Sequence, residues 1–163
     1  MSELVPMSIK GLMLDPVSNS PIVVLKDEQE TCFLPIWVGI FEANAIALQL
    51  ENVTTPRPMT HDLLKNMIAE LNAQVSRIVI NDLRDSTFFA QILLVIGGKT
   101  LELDARPSDA IALALRVEAP IFVAQTVLDQ AQTISPDVEE GQEEKMKKWF
   151  DNLENEDFGK YKM

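Results

Sequence analysis

The sequence predicts an α/β protein of the α+β kind: a single compact domain with a largely antiparallel or mixed sheet packed by helices, then a C-terminal amphipathic helix. Three observations predict it. Short β-branched runs are separated by Pro, Asn, Asp and Gly turn chemistry over the first 38 residues and again over 75–105. Two Ala/Ile/Leu-rich runs, Ala45–Leu50 and Ala110–Leu115, carry helical spacing directly after strands. Beyond Ser135 the chain turns strongly acidic, so residues 1–133 are read as the domain and 134–163 as an acidic helical tail.

Taken in order, residues 4–14 and 21–26 are expected as strands joined by a turn through Asp15-Pro16 and Asn19-Ser20-Pro21. A third strand over Thr31–Val38 contains Pro35, which places it at an edge or a bulge. Phe41 to Leu50 reads as a helix with Ala43, Ile46, Ala47 and Leu50 on one face. Glu42 in its first turn suits the helix dipole. The prolines of Thr54–Asp62 fix an extended loop, and Thr60 is the expected N-cap of a helix over His61–Leu71. Leu63, Leu64, Met67, Ile68 and Leu71 form its apolar stripe. Strands follow at 75–83 and 87–96, and Gly97-Gly98 makes a two-residue hairpin turn into 99–105. Pro107 then opens a helix that Ala119-Pro120 ends. Ile121-Phe122-Val123 is a short buried strand, and Thr126 caps a brief helix over 127–132. In the tail, Met146, Trp149, Phe150 and Leu153 share one stripe of an otherwise charged helix. Trp37 and Met59 are expected in the core, and Cys32 as a buried small hydrophobe in a strand.

The strand-to-helix corner from Leu103 to Arg116 draws most of the chemistry. Asp104, Arg106, Ser108 and Asp109 are expected to crowd there, two carboxylates and a guanidinium within a few residues. Asp104 and Asp109 suit a hard divalent cation such as Mg²⁺ or Mn²⁺, and Arg106 suits a phosphate. Equally, Arg106 pairing with one Asp would merely build the corner. Glu42 joins this acidic group if the two echoed helices lie side by side. His61 is the single histidine. It is read either as a general base or metal ligand, or as a helix-start residue bonded locally. Neighbouring positions at a helix start diverge, so His61 and Asp62 are not expected to act as a direct dyad.

Composition narrows the classes. With 47% hydrophobic residues, a formal net charge of −11 and one cysteine, the chain reads as an ordinary globule without a disulfide or thiolate metal cluster. Neither a signal peptide nor a membrane-spanning run is found, so a cytoplasmic protein without membrane partners is expected. So acidic a surface repels nucleic acid unless a basic patch or bound cations reverse the local field. Walker, Rossmann, H-E-x-x-H, C-x-x-C and G-x-S-x-G motifs are missing, and no organic cofactor is expected.

Four segments together resemble the bifunctional nuclease (BFN-domain) family: Leu34–Gly39, Glu42–Ala47, Arg57–Leu63 and Asp104–Ala114. The resemblance covers about residues 4–131, in order. It implies an α/β domain with an antiparallel or mixed sheet, a tendency to form homo-oligomers, and hydrolysis of DNA or RNA phosphodiesters. Carried onto this chain, it implies Glu42, Asp104 and Asp109 as holders of a divalent metal. His61, Asp104 and Asp109 become the catalytic groups, with Arg57 and Arg106 on substrate phosphate. The alternative is a non-enzymatic homo-oligomeric binding or regulatory module in which the same residues are structural. A third reading has the Arg57–Asp62 loop hold a small anionic ligand.

Overall fold

The computed structural model describes residues 3–131 and 133. Its seven strands are β1 (Leu4–Leu14), β2 (Pro21–Asp27), β3 (Phe33–Trp37), β4 (Gln74–Arg84), β5 (Thr87–Ile96), β6 (Lys99–Ala105) and β7 (Ile121–Ala124). The helices are α1 (Ile40–Leu50), α2 (Thr60–Glu70), α3 (Pro107–Val117) and α4 (Gln125–Gln130). One mixed sheet runs in the order β3-β2-β1-β7-β4-β5-β6. Among the described strands, only the β4–β7 pair is parallel. The expected α+β architecture is thus the observed one, and the expected tail helix lies outside the described residues.

Local chemistry explains the turns. Gly97 and Gly98 both have positive φ, 57° and 78°, as a tight hairpin between twisted strands requires. Pro35 sits on β3, which is an edge strand of the sheet, where a missing N–H costs no ladder bond. Pro107 occupies the first turn of α3 behind Arg106 at the N-cap, and Glu118 ends the helix with a left-handed φ of 57°.

Alternation along β2 sorts the sheet's two faces. Val23 and Leu25 belong to the main core with Leu34, Ile46, Ile78, Ile80, Ile111 and Val123, whereas Ile22 and Val24 join Met13 and Phe33 in a small separate cluster. Ala45 and Ile46 of α1, and Ala110 to Ala114 of α3, lie in the main core, and their small side chains let the two helices approach each other and the sheet closely.

The apolar stripe of α2 is mostly uncovered: Leu63, Leu64, Met67 and Leu71 are exposed, and Ile68 alone of the five packs against the core. Periodicity reports that a helix face is apolar, not that something covers it. Trp37 is 54% exposed rather than in the core, because it ends edge strand β3. Cys32 lies just before β3 and is half-buried, and burial, then the nearby Asp27 charge, pushes its thiol up. Thr60 is the first helical residue and not the cap; the N-cap is Met59, whose backbone N–H donates to Asp62 Oδ2 at 2.9 Å.

Candidate functional site

α1 and α3 lie side by side, and their first turns form the centre of the site. Arg106, fixed at the α3 N-cap by Pro107, sends its Nη2 to Glu42 Oε1 at 2.8 Å and to Asp109 Oδ2 at 2.8 Å. Its Nε also donates to Asp109 Oδ2 at 3.0 Å. The two Nη1 hydrogens have no partner among the described residues, and the side chain is 67% exposed. The carboxylates gained here hold the guanidinium's proton more tightly, the Asp109 hydrogen bond first.

The other Asp109 oxygen is held from α2. His61 Nε2 lies 2.9 Å from Asp109 Oδ1. The imidazole is buried, whereas the Asp109 side chain is 31% exposed. Burial pushes the Asp109 carboxyl up, but the hydrogen bonds of His61 and Arg106 and their charges outweigh it and leave the group below its ordinary value. Asp109 therefore stays ionised at neutral pH.

Gly39 makes room for this arrangement. It is the α1 N-cap, and Glu42 folds back against it so closely that a Cβ there would collide with the Glu42 carboxylate. Trp37 and Gly39 line one side of a cleft of about 310 Å³ whose other walls include Ser86, Thr87 and Arg106. The Trp37 indole N–H donates to Asp15 Oδ2 at 3.0 Å.

Arg116, at the far end of α3, had no role in the sequence reading. Its side chain is 3% exposed, and it donates from Nε to Asp62 at 2.7 Å, from Nη1 to Ala112 O at 2.9 Å and from Nη2 to Ala45 O at 2.9 Å. One buried guanidinium thus ties α1, α2 and α3 together. Burial pushes the Asp62 carboxyl up, but the Met59 backbone bond and Arg116 bring it below its ordinary value. A lone Arg closing an Ala/Leu helix was the available signal.

Of the residues singled out from sequence, Glu42, Arg106, Asp109 and His61 are brought together, and Glu42 joins because the echoed helices do pack side by side. His61 and Asp62 diverge, to Asp109 and Arg116. Asp104 stands on β6 opposite Gln91, exposed, and forms no ion pair with Arg106. Arg57 is also elsewhere, in a second cleft of about 330 Å³ with Lys65, Asp62 and Arg116. Among the described residues no group of three or more His, Cys, Asp or Glu is arranged to hold a metal ion. A divalent ion between Glu42 and Asp109 would have to displace the guanidinium that already bridges them. Nor is any described helix long and apolar enough to cross a membrane.

Comparison with known proteins adds the following. The family model described as "Bifunctional nuclease domain" matches residues 23–136. An uncharacterised protein of Mycobacterium tuberculosis is 37% identical over 159 residues, 92% of this chain and 95% of its own length. Bifunctional nuclease 1 of Arabidopsis thaliana is 33% identical over 118 residues, 70% of this chain and 36% of its own length. Bifunctional nuclease 2 of Oryza sativa subsp. japonica is 30% identical over 134 residues, 78% of this chain and 41% of its own length. This chain therefore spans well under half of either plant protein.

Proposed function

Since this chain belongs to the bifunctional nuclease domain family, we propose that it hydrolyses phosphodiester bonds of DNA or RNA at the Glu42–Arg106–Asp109–His61 network. The observation that supports the reading is the half-used guanidinium: Arg106 is anchored by two carboxylates through one edge and leaves its Nη1 hydrogens open at a cleft. A planar fork held in this way suits the non-bridging oxygens of a phosphodiester, where charge builds as the P–O bond breaks.

Asp109 is the more exposed of the two carboxylates, 31% against 17% for Glu42. Kept ionised, it accepts a hydrogen bond from the attacking water and then the water's proton, as the new P–O bond forms and the leaving alkoxide is protonated from solvent. A carboxylate held below its ordinary value is a weak base, so its main contribution is orientation of the water. His61, buried behind it, fixes the Asp109 rotamer and is a positioning residue.

The test is cleavage of labelled single-stranded DNA and RNA by purified protein, with Mg²⁺, with Mn²⁺ and with chelator. The three arms matter because either ion competes with Arg106 for the same carboxylates. Wild type should cleave and Asp109→Asn should lose at least about a hundredfold, the usual weight of a positioned acid–base group. Equal trace activity in the two proteins would identify a contaminant and defeat the proposal.

A further inference from the structure

The cleft that holds Arg57 lies at the other end of α3 from Asp109. Arg106 is the N-cap of that helix and Arg116, which lines the second cleft, is in its last turn, so the two regions are about 15 Å apart along the axis. Three cations line this cleft, Arg57, Lys65 and Arg116, against one carboxylate, Asp62. Asp62 is already paired with the buried Arg116. That leaves Arg57 and Lys65, both exposed and neither within an ion pair among the described residues, as the local excess of positive charge in a chain of net charge −11.

The remaining surroundings suit an oxyanion. Thr54 and Asn66 also line the cleft and supply hydroxyl and amide donors. The loop that carries Arg57 is stiffened by Pro56 and Pro58 and by the Thr55 hydroxyl, which donates to the Arg57 carbonyl at 2.7 Å. Little order must therefore be imposed on Arg57 when an anion arrives. Adjacent residues of α2 serve the two regions, His61 reaching Asp109 and Asp62 reaching Arg116.

From this geometry we infer that the Arg57–Lys65 cleft is a second phosphate subsite, taking a non-scissile phosphate of the same single strand whose scissile phosphate lies at Arg106. The inference rests on the nuclease reading and sharpens it. Two anion sites about 15 Å apart select an oligonucleotide over a mononucleotide, because only a polymer presents two linked phosphates at once. Binding energy gained at the second subsite is independent of the chemical step, so it lowers KM and leaves kcat to the Arg106 network.

The experiment measures anisotropy of a labelled oligo(dT) with the full chain, in chelator, as salt is raised. Wild type is compared with Arg57→Ala/Lys65→Ala and with Lys99→Ala, a control that removes one positive charge on the β6 hairpin. Each phosphate contact contributes about −0.7 to the slope of log K against log salt for single strands, so the double variant, which removes the one phosphate of this subsite, should lose about 0.7 from that slope and the control nothing. Thermal melts verify that the exposed substitutions leave the fold intact. A slope unchanged in the double variant, or lowered equally by Lys99→Ala, overturns the subsite, as does a wild type that binds no oligonucleotide. Cleavage together with an unchanged slope sinks the subsite alone. Slope loss in a protein that cleaves nothing supports the subsite while the hydrolytic reading fails.

Discussion

Arg106 and Arg116 occupy the two ends of one helix, and each pairs with an aspartate, but their burial differs from 67% exposed to 3%. The contrast makes a paired perturbation informative: Arg106→Met and Arg116→Met, each exchanging a guanidinium for an unbranched side chain that helices tolerate. Removing one partner of a buried ion pair costs about 3–5 kcal/mol because the other charge is stranded. Asp62 keeps a third of its side chain exposed, so water can reach the oxygen that Arg116 gave up. The Ala45 and Ala112 carbonyls meanwhile lose a donor inside the core. The lower end of the range applies, about 3 kcal/mol. For a domain of this size that is a fall in Tm of about 10 °C. Arg106 loses two ion pairs that water already screens, about 1 kcal/mol together and about 3 °C. Circular-dichroism melts of the three proteins read both shifts. Equal shifts, or a larger one at Arg106, would show that the corner is built by its ion pairs. That result would favour the reading in which these residues are only structural. The expected threefold difference, with cleavage lost in Arg106→Met, assigns stability to one end of α3 and chemistry to the other.

Two further outcomes test the site's construction. Gly39→Ala should push Glu42 off Arg106, because the added Cβ collides with its carboxylate, while the backbone (φ −70°, ψ 158°) accepts alanine without strain. Loss of one exposed pair and of a glycine cap lowers stability by about 1 kcal/mol, so an impaired cleavage rate at nearly unchanged Tm is expected; an unaltered rate would remove Glu42 from the site. The Asp109 carboxyl sits below its ordinary value of 3.8 in the folded chain. Its ionised form therefore stabilises the fold above that value, and the contribution is lost as pH falls below it and through the lower value of the folded chain. Urea midpoints between about pH 5 and pH 3 should fall more steeply for wild type than for Asp109→Asn, and parallel curves would contradict the hydrogen-bonded geometry.

What sequence could reveal divides along the range of the interaction. Gly97-Gly98, Pro35 and Pro107 each announced a local backbone need, and each is found where that need places it. The Arg106–Asp109 pair, three residues apart, was equally legible. Asp104 belongs to the exposed ladder of β6 and makes no ion pair with Arg106, because the chain turns only after Ala105. Arg116 reaches Asp62 and Ala45 across 54 and 71 positions, and no periodicity encodes such a reach. The α2 stripe was legible as an apolar face, but whether anything covers Leu63 and Met67 is decided by where the helix docks.

The place of β7 has an effect on how the molecule can be made. Its four residues are the last of the described strands, and among these strands they alone join the β3-β2-β1 meander to the β4-β5-β6 meander. Each meander is stitched by neighbours in sequence, so both can form as the chain emerges. A continuous sheet cannot exist until residue 121 has been synthesised and has entered the gap between β1 and β4. Glu42 follows the first meander, whereas Arg106 and Asp109 follow the second. The two halves of the candidate site thus belong to separately zippered pieces, and the keystone that locks those pieces in register arrives after every residue of the site.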